Sequence, residues 1–388
     1  MSEESKRITE AEAWFNKGIA FVNMGKFKEA LDCFDKALKL QPNNGYIWNC
    51  KGAVLKQLGR QKEALNCCNK AVELQPDFAV AWDNKGAILL DLNRFEEALD
   101  AFDRALKLQP DYVRVWYNKG EVLGDLGRFE EAINSFKKVL ELEPNNESAW
   151  AFKGMYLQKL GRHEEALSCY DKLLELQPRR ANTWICKGAI LGILKRFEEA
   201  LTSFNKALEL QPNNAFAWIH ITETFDKMGR YEEVVKSVDR LLKLQPKNAD
   251  AWYTKGRALT WLNRHKEALD SFNRALKLQP NDEGAWYGKG TVFHKFRKYK
   301  EALDCYNRAV ELQPNDADAW YNRGMALGAL GRFEEAVSSF NRVLELQPNN
   351  EHPWLGKGHA LEKLGKNGEA SICFKKAEEL RQKTSGPK

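Results

Sequence analysis

Apolar residues recur along this chain with two superposed periods. Over a dozen residues they follow helical spacing, about 100° per residue, and the same helical pattern restarts every 34 residues. In the stretch 79–112, Trp82, Lys85, Gly86, Ile88, Leu89 and Leu92 fall on one arc, which predicts an amphipathic helix over residues 79–92. Asn93-Arg94 breaks it. A second helix is predicted from Phe95, with Glu96 and Glu97 at its positive end and an apolar arc of Phe95, Ala98, Leu99, Phe102, Ala105, Leu106 and Leu108. Gln109-Pro110-Asp111 closes the unit, because proline lacks an amide hydrogen and keeps the residue before it out of helix. Asn44, Asn146 and Asn350 stand where the next helix begins and are predicted to cap it.

The long period is strict. Trp stands at 14, 48, 82, 116, 150, 184, 218, 252, 286, 320 and 354, and only Trp261 falls outside the series. This defines eleven units: 11–44, 45–78, 79–112, 113–146, 147–180, 181–214, 215–248, 249–282, 283–316, 317–350 and 351–384. Residues 1–10 form a leader, and 385–388 (SGPK) are expected to be a disordered tail. Gly recurs four residues after each Trp except in the seventh unit. A chain of 388 residues would ordinarily suggest two or three domains. A repeat of this length instead predicts a solenoid, in which each unit buries its apolar face only by stacking on its neighbours. The last unit puts Ser371, Glu378 and Gln382 where others carry Leu, Leu and Pro, as befits a cap.

Trp82, Gly86, Leu89, Ala98, Phe102, Ala105 and Pro110 match the tetratricopeptide repeat (TPR) pattern position for position, and the match extends over residues 11–384. The chain most resembles the very regular repeats of archaeal and bacterial members. The resemblance implies an all-α, right-handed superhelical solenoid of antiparallel helix pairs, with first helices lining a concave groove that holds other proteins. One departure is general. The residue before the Gly, often Leu in the family, is Lys or Arg in ten units and Ile221 in one. Its aliphatic stem can pack while the charge reaches water.

Composition narrows the function. Sixty Lys plus Arg against fifty-four Asp plus Glu gives a net +6 spread along the chain, a weak argument for nucleic acid or acidic membrane. No apolar run approaches the roughly 18 residues of a membrane span, and residues 1–7 lack a signal-peptide core. A cytoplasmic protein is expected. Cys33, Cys67, Cys169, Cys305 and Cys373 share one phase with Ala101 and several Ser, a small-residue column for helix packing, and are expected to be reduced thiols. No pair has zinc-site spacing, and His352 and His359 are about 10 Å apart at helical rise. No hydrolase, metalloprotease or phosphate-loop motif occurs. The expectation is no catalytic residue, no metal, no cofactor and no enzyme activity.

A column that repeats serves the fold, so recognition should use what does not repeat. On the first-helix arc opposite the Trp, repeats 1–4 carry Glu12, Asp83, Asp91, Glu121 and Asp125 against Lys56 and Arg114, a mildly acidic end. Repeats 5–7 place Phe152, Met155, Ile185, Ala189, Ile193, Phe216, Ile219 and His220 there, and exposed apolar patches mark interaction sites. Repeats 8–10 supply Tyr253, Arg257, Trp261, Tyr287, His294, Lys295 and Tyr321, the aromatic and Arg chemistry of binding hot spots. Neighbouring helices covering these side chains is the alternative reading. Repeat 7 also changes together Gly to Thr222, Ala to Val234, the aromatic to Val238, a small residue to Leu241 and Lys to Ile221. Either its helices open or the core repacks with compensation.

The function expected is a non-catalytic protein-interaction scaffold that binds a partner segment in its groove, apolar anchors meeting repeats 5–7 and acidic or aromatic groups meeting repeats 8–10. The family's pattern for clamping acidic chaperone tails is absent, since no unit has Lys after its Trp with Asn four residues beyond. A self-associating homo-oligomeric scaffold is the alternative, and a single-stranded RNA-binding solenoid a weaker one.

Overall fold

The computed structural model describes residues 3–384; the tail at 385–388 lies outside the described residues. Among the described residues the regular elements are all α-helices. The chain divides after Arg196 into two compact units, between the two helices of the sixth repeat. The first unit holds α1 (Glu3–Asn23), α2 (Phe27–Leu40), α3 (Gly45–Gln57), α4 (Gln61–Leu74), α5 (Ala79–Asp91), α6 (Phe95–Leu108), α7 (Val113–Asp125), α8 (Phe129–Leu142), α9 (Glu147–Lys159), α10 (His163–Leu176) and α11 (Ala181–Ile193). The second holds α12 (Phe197–Leu210), α13 (Ala215–Lys227), α14 (Tyr231–Leu244), α15 (Ala249–Trp261), α16 (His265–Leu278), α17 (Glu283–Lys295), α18 (Tyr299–Leu312), α19 (Ala317–Ala329), α20 (Phe333–Leu346), α21 (Glu351–Lys363) and α22 (Asn367–Thr384). The protein is an all-α repeat solenoid. From Glu3 onward the expected leader is helical and forms the first turns of α1.

Local chemistry sets the helix ends. Asn44, Asn146, Asn214, Asn248, Asp282, Asp316 and Asn350 each accept a backbone N–H of the first helical turn. Second helices use another device: Arg94 at the α6 N-cap donates from Nε and Nη2 to Glu97, at 2.7 and 2.6 Å. The turn inside each pair needs one left-handed residue. It is Gly in seven units, but Asn93, Lys195, Asn263 and Arg297 adopt φ of 57–60° in the others.

The aromatic at the heart of most units lies on the second helix; repeats 2 and 7 carry Cys68 and Val238 there. Phe34, Phe102, Phe136 and Phe272 are at most 1% exposed, whereas the periodic Trp side chains are only half-buried. A methyl group on Gly86 would stand 2.5 Å from the Phe102 ring, and one on Gly120 2.7 Å from Phe136. The recurring Gly therefore exists because the second-helix side chain, a Phe or Tyr ring in most units, occupies its Cβ space. Most of the Trp side chains instead fasten one unit to the next: Trp48 Nε1 donates to the Pro42 carbonyl at 2.8 Å, and Trp116 to Pro110 at 2.8 Å, whereas Trp354 Nε1 has no such partner among the described residues. The Lys three residues on does more than reach water. Its ammonium lies over the Trp ring, 5.5 Å away for Lys51 over Trp48. In alternate units it also pairs with an Asp of the preceding second helix, as in Lys187–Asp171 at 2.7 Å and Lys255–Asp239 at 2.6 Å.

Repeat 7 replaces the Gly and the ring together. Thr222 fills the space of the missing Gly and Val238, fully buried, replaces the ring. Ser237 Oγ lies 2.8 Å from Thr222 Oγ1 across the pair. Thr222 is otherwise backed by the Trp218 carbonyl at 2.8 Å.

Candidate functional site on the first helices

In the first unit, α9 carries Phe152 and Met155, and α11 carries Ile185, Ala189 and Ile193. Only Ile193 is well exposed, at 49%; the other four are half-buried. Phe152 is no free groove residue. Its ring stacks on Phe136 at 5.3 Å and on Tyr156 at 6.1 Å, and meets Tyr117 edge-on at 5.9 Å. Two residues after the Trp, a side chain points back at the preceding first helix, so Phe152 completes an aromatic cluster with Tyr117, Phe129, Phe136 and Tyr156. Gly124 belongs to that cluster, because a Cβ there would run into the Tyr156 hydroxyl. Burial, with the Asp125 and Glu121 carboxylates nearby, pushes the Tyr156 phenol up to about 12.

Two of the five acids expected in repeats 1–4 pair with the two bases of that face, and Glu12, Glu121 and Asp125 keep no ion pair among the described residues. Asp83 is 1% exposed and is held by Arg114 and by Asn118 Nδ2 at 3.5 Å. Asp91 pairs with Lys56 at 3.4 Å.

In the second unit, Phe216 on α13 is 71% exposed and Trp261 on α15 is 65% exposed. Trp261 lies flat on Tyr231, centroids 5.6 Å apart and planes 4° from parallel. Ile219 and His220 are half-buried; the imidazole stacks on Phe204 at 5.5 Å, its Nδ1 3.2 Å from Glu223. Tyr253, Tyr287 and Tyr321 form a column on α15, α17 and α19. Each leans on the second-helix ring of its own unit, at 6.2 Å from Phe272, 6.0 Å from Tyr306 and 5.8 Å from Phe340. Tyr287 also accepts from Asn322 Nδ2 at 3.0 Å. Arg257 is engaged by Asp226 at 2.5 Å. His294 packs against Tyr299 at 5.2 Å, and burial, with Lys295 beside it, holds its imidazole below the ordinary range. Lys295 is exposed.

Sequence reasoning missed one feature of this face. Beside repeat 7 lies a pocket of about 260 Å³, with Ile219, Val238, Leu241 and Ala251 among its apolar walls and Glu223, Asp226, Asp250 and Arg257 among its polar ones. Its origin is the lost ring. In repeats 8 and 10 the Phe ring occupies the same space against the next unit: methyl groups on Gly288 and Gly356 would each come within 2.6 Å of Phe272 and Phe340. Val238 leaves that space open. The joint loss of Gly and Phe in one unit was the available signal.

The cysteines are free thiols, Cys33, Cys67, Cys68, Cys169, Cys305 and Cys373 buried and Cys50 and Cys186 partly so. Burial pushes Cys67, Cys169 and Cys305 up to about 11. No described helix is long and apolar enough to cross a membrane.

Comparison with known proteins agrees with this architecture. Tetratricopeptide repeat models match residues 11–44, 45–78, 67–100, 84–147, 249–282, 286–351 and 352–384, and the model of the Psidin N-terminal TPR repeats region matches 123–249. No curated protein matches the chain. Among solved structures, that of Naa15/Naa10 bound to HypK-THB aligns with 95% of this chain and 63% of its own at 16% identity and a TM-score of 0.50. YrrB, a TPR protein with an unusual peptide-binding site, aligns with 47% of this chain and 95% of its own at 27% identity and a TM-score of 0.44. Yeast Tom70 aligns with 95% of this chain and 92% of its own at 17% identity and a TM-score of 0.41. With its repeats matched from residue 11 to residue 384, the chain belongs to the tetratricopeptide repeat family.

Proposed function

We propose that the protein is a non-catalytic, cytoplasmic scaffold that captures a segment of a partner protein on its first-helix faces. The observation that carries this reading is the repeat 7 pocket. It is a non-repeating concavity on a face whose repeating positions are occupied by the fold, and α13 presents the exposed Phe216 at one end. Pockets with apolar walls and a few fixed charges suit an anchoring side chain. The acidic Glu223, Asp226 and Asp250 outnumber Arg257, so a partner anchor with an aliphatic stem and a cationic tip fits best. On the first unit, Ile193 offers an apolar contact of the same class.

Affinity capture from lysate tests this with Thr254→Phe, which fills the pocket, Phe216→Ala and Ile193→Asp. The proposal predicts loss of a common set of proteins in the pocket variants, with helical content unchanged by circular dichroism. Full retention of every captured protein by all three variants contradicts it. Light scattering across concentration separates capture of another protein from self-association, which would raise the mass with concentration and lower it in the same variants.

A further inference from the structure

The turns that join first to second helices carry a ladder of charge. The turn Arg of one unit pairs with the first Glu of the second helix in the unit before: Arg128–Glu96 at 3.5 Å, Arg162–Glu130 at 3.0 Å, Arg196–Glu164 at 3.8 Å, Arg230–Glu198 at 3.2 Å and Arg264–Glu232 at 3.5 Å. After Arg264 the ladder stops. The residues in the Glu column become Lys266 and Lys300, so the register that faces Arg264 with Glu232 faces Lys298 with Lys266 and Arg332 with Lys300. Lys298 and Arg332 keep only acids of their own turns, Glu301 at 3.9 Å and Glu335 at 2.6 Å. Lys266, Lys295, Arg297 and Lys300 are exposed and have no ion pair among the described residues.

Exposed aromatic rings lie on the same edge. Trp261, one face on Tyr231, presents the other to solvent. Phe296, 39% exposed, stands where most units carry Leu, with His265 edge-on to it at 5.5 Å. Unpaired cations and exposed aromatic faces thus lie together beside the missing acids of repeats 8 and 9.

We infer that the turn edge of repeats 8 and 9, built around Lys266, Lys300, Trp261 and Phe296, docks a short acidic, aromatic-containing segment of a partner protein. Carboxylates replace the absent ladder acids, and an apolar side chain covers Trp261 or Phe296. Such complementarity sets orientation and on-rate as well as affinity. A nucleic-acid strand fits less well, since strand-binding surfaces follow the backbone with a longer cationic track. Here Arg264 is neutralised by Glu232 and Glu267 on one side, and Arg332 by Glu335 on the other. The inference rests on the scaffold reading but not on the pocket.

The test is fluorescence anisotropy with the full chain and a fluorescein-labelled peptide of glutamates flanking one phenylalanine. Lys266→Glu with Lys300→Glu rebuilds the ladder of repeats 4–8, so this variant should stay folded while binding weakens at least about tenfold. Trp261→Ala should weaken it as well, a glutamine version of the peptide should not bind, and Phe216→Ala should bind as the parent does. Equal binding by the charge-restored variant overturns the inference, as does absence of binding to the parent chain. Tighter binding of a single-stranded oligouridylate, lost in the same variant, would assign the edge to nucleic acid instead. Failure of Phe216→Ala to release captured partners would count against the pocket alone.

Discussion

The contact between the recurring Gly and the second-helix Phe can be tested by moving the repeat 7 solution into repeat 3. A methyl group at Gly86 would lie 2.5, 2.7 and 2.9 Å from three carbons of a Phe102 ring that is 0% exposed and cannot swing away. Gly86→Thr alone should cost about 2–3 kcal/mol, the upper range for overpacking, relieved by a few tenths through helix propensity. Phe102→Val alone removes most of a buried ring and should cost about 2–3 kcal/mol, less than truncation to Ala. Together they recreate the pair seen at Thr222 and Val238, so the double variant should lose only about 1–2 kcal/mol, a coupling of about 3 kcal/mol at the top of the range for touching residues. Repeat arrays do not unfold as one unit, so the readout is local hydrogen exchange in α5 and α6. A double variant whose penalty equals the sum of the two singles would refute the reasoning.

Five further outcomes are expected. Lys195→Gly should raise thermal stability by about 1 kcal/mol by releasing a left-handed residue, and Asn93→Gly should raise it less, because Asn tolerates that conformation; φ is 60° and 57° at the two sites. Trp48→Phe should cost about 1 kcal/mol from its lost bond to Pro42, read by denaturant titration. Burial and the neighbouring Asp316 raise the Glu283 carboxyl to about 7. The folded chain therefore holds that proton more tightly than the unfolded one, and this group's contribution to stability should increase as pH falls from about 7 to about 5; Glu283→Gln should abolish the increase in melting temperature. The Arg-paired Glu97 and Glu131 are held below the usual range by hydrogen bonds from Arg94 and Arg128, so their contribution is lost only as pH falls below the ordinary Glu value. Cys68, pushed up to about 12 by burial, should react with iodoacetamide at pH 8 only through opening of repeat 2.

The periodic part of this structure is legible in the sequence because each rule acts within one unit. Helix spacing sets α5 over Ala79–Asp91, and Asn44 or Asn146 caps as its side-chain chemistry dictates. What a helical wheel cannot show is which neighbour covers an outward residue. Phe152 sits on an outward arc, yet the preceding helix supplies Tyr117 and the second helix Phe136 to enclose it. Arg257 reads as a free cation until Asp226, one residue from the end of the previous first helix, comes within 2.5 Å. The Lys–Asp pairs and the Arg–Glu ladder were visible as fixed offsets between columns, sixteen and thirty-two residues apart, but a residue-by-residue arc does not search for them. The pocket needed the joint loss of Gly and Phe to be read as lost volume rather than as repacking alone.

The central claim is that repeating positions hold the fold while departures serve recognition. Restoring repeat 7 to the common pattern tests it most directly, with Ile221→Lys, Thr222→Gly, Val234→Ala, Val238→Phe and Leu241→Ala combined. The account predicts an array that melts no lower than the parent and no longer captures the proteins that depend on Phe216. Capture of those proteins at unchanged affinity by the restored chain would contradict it.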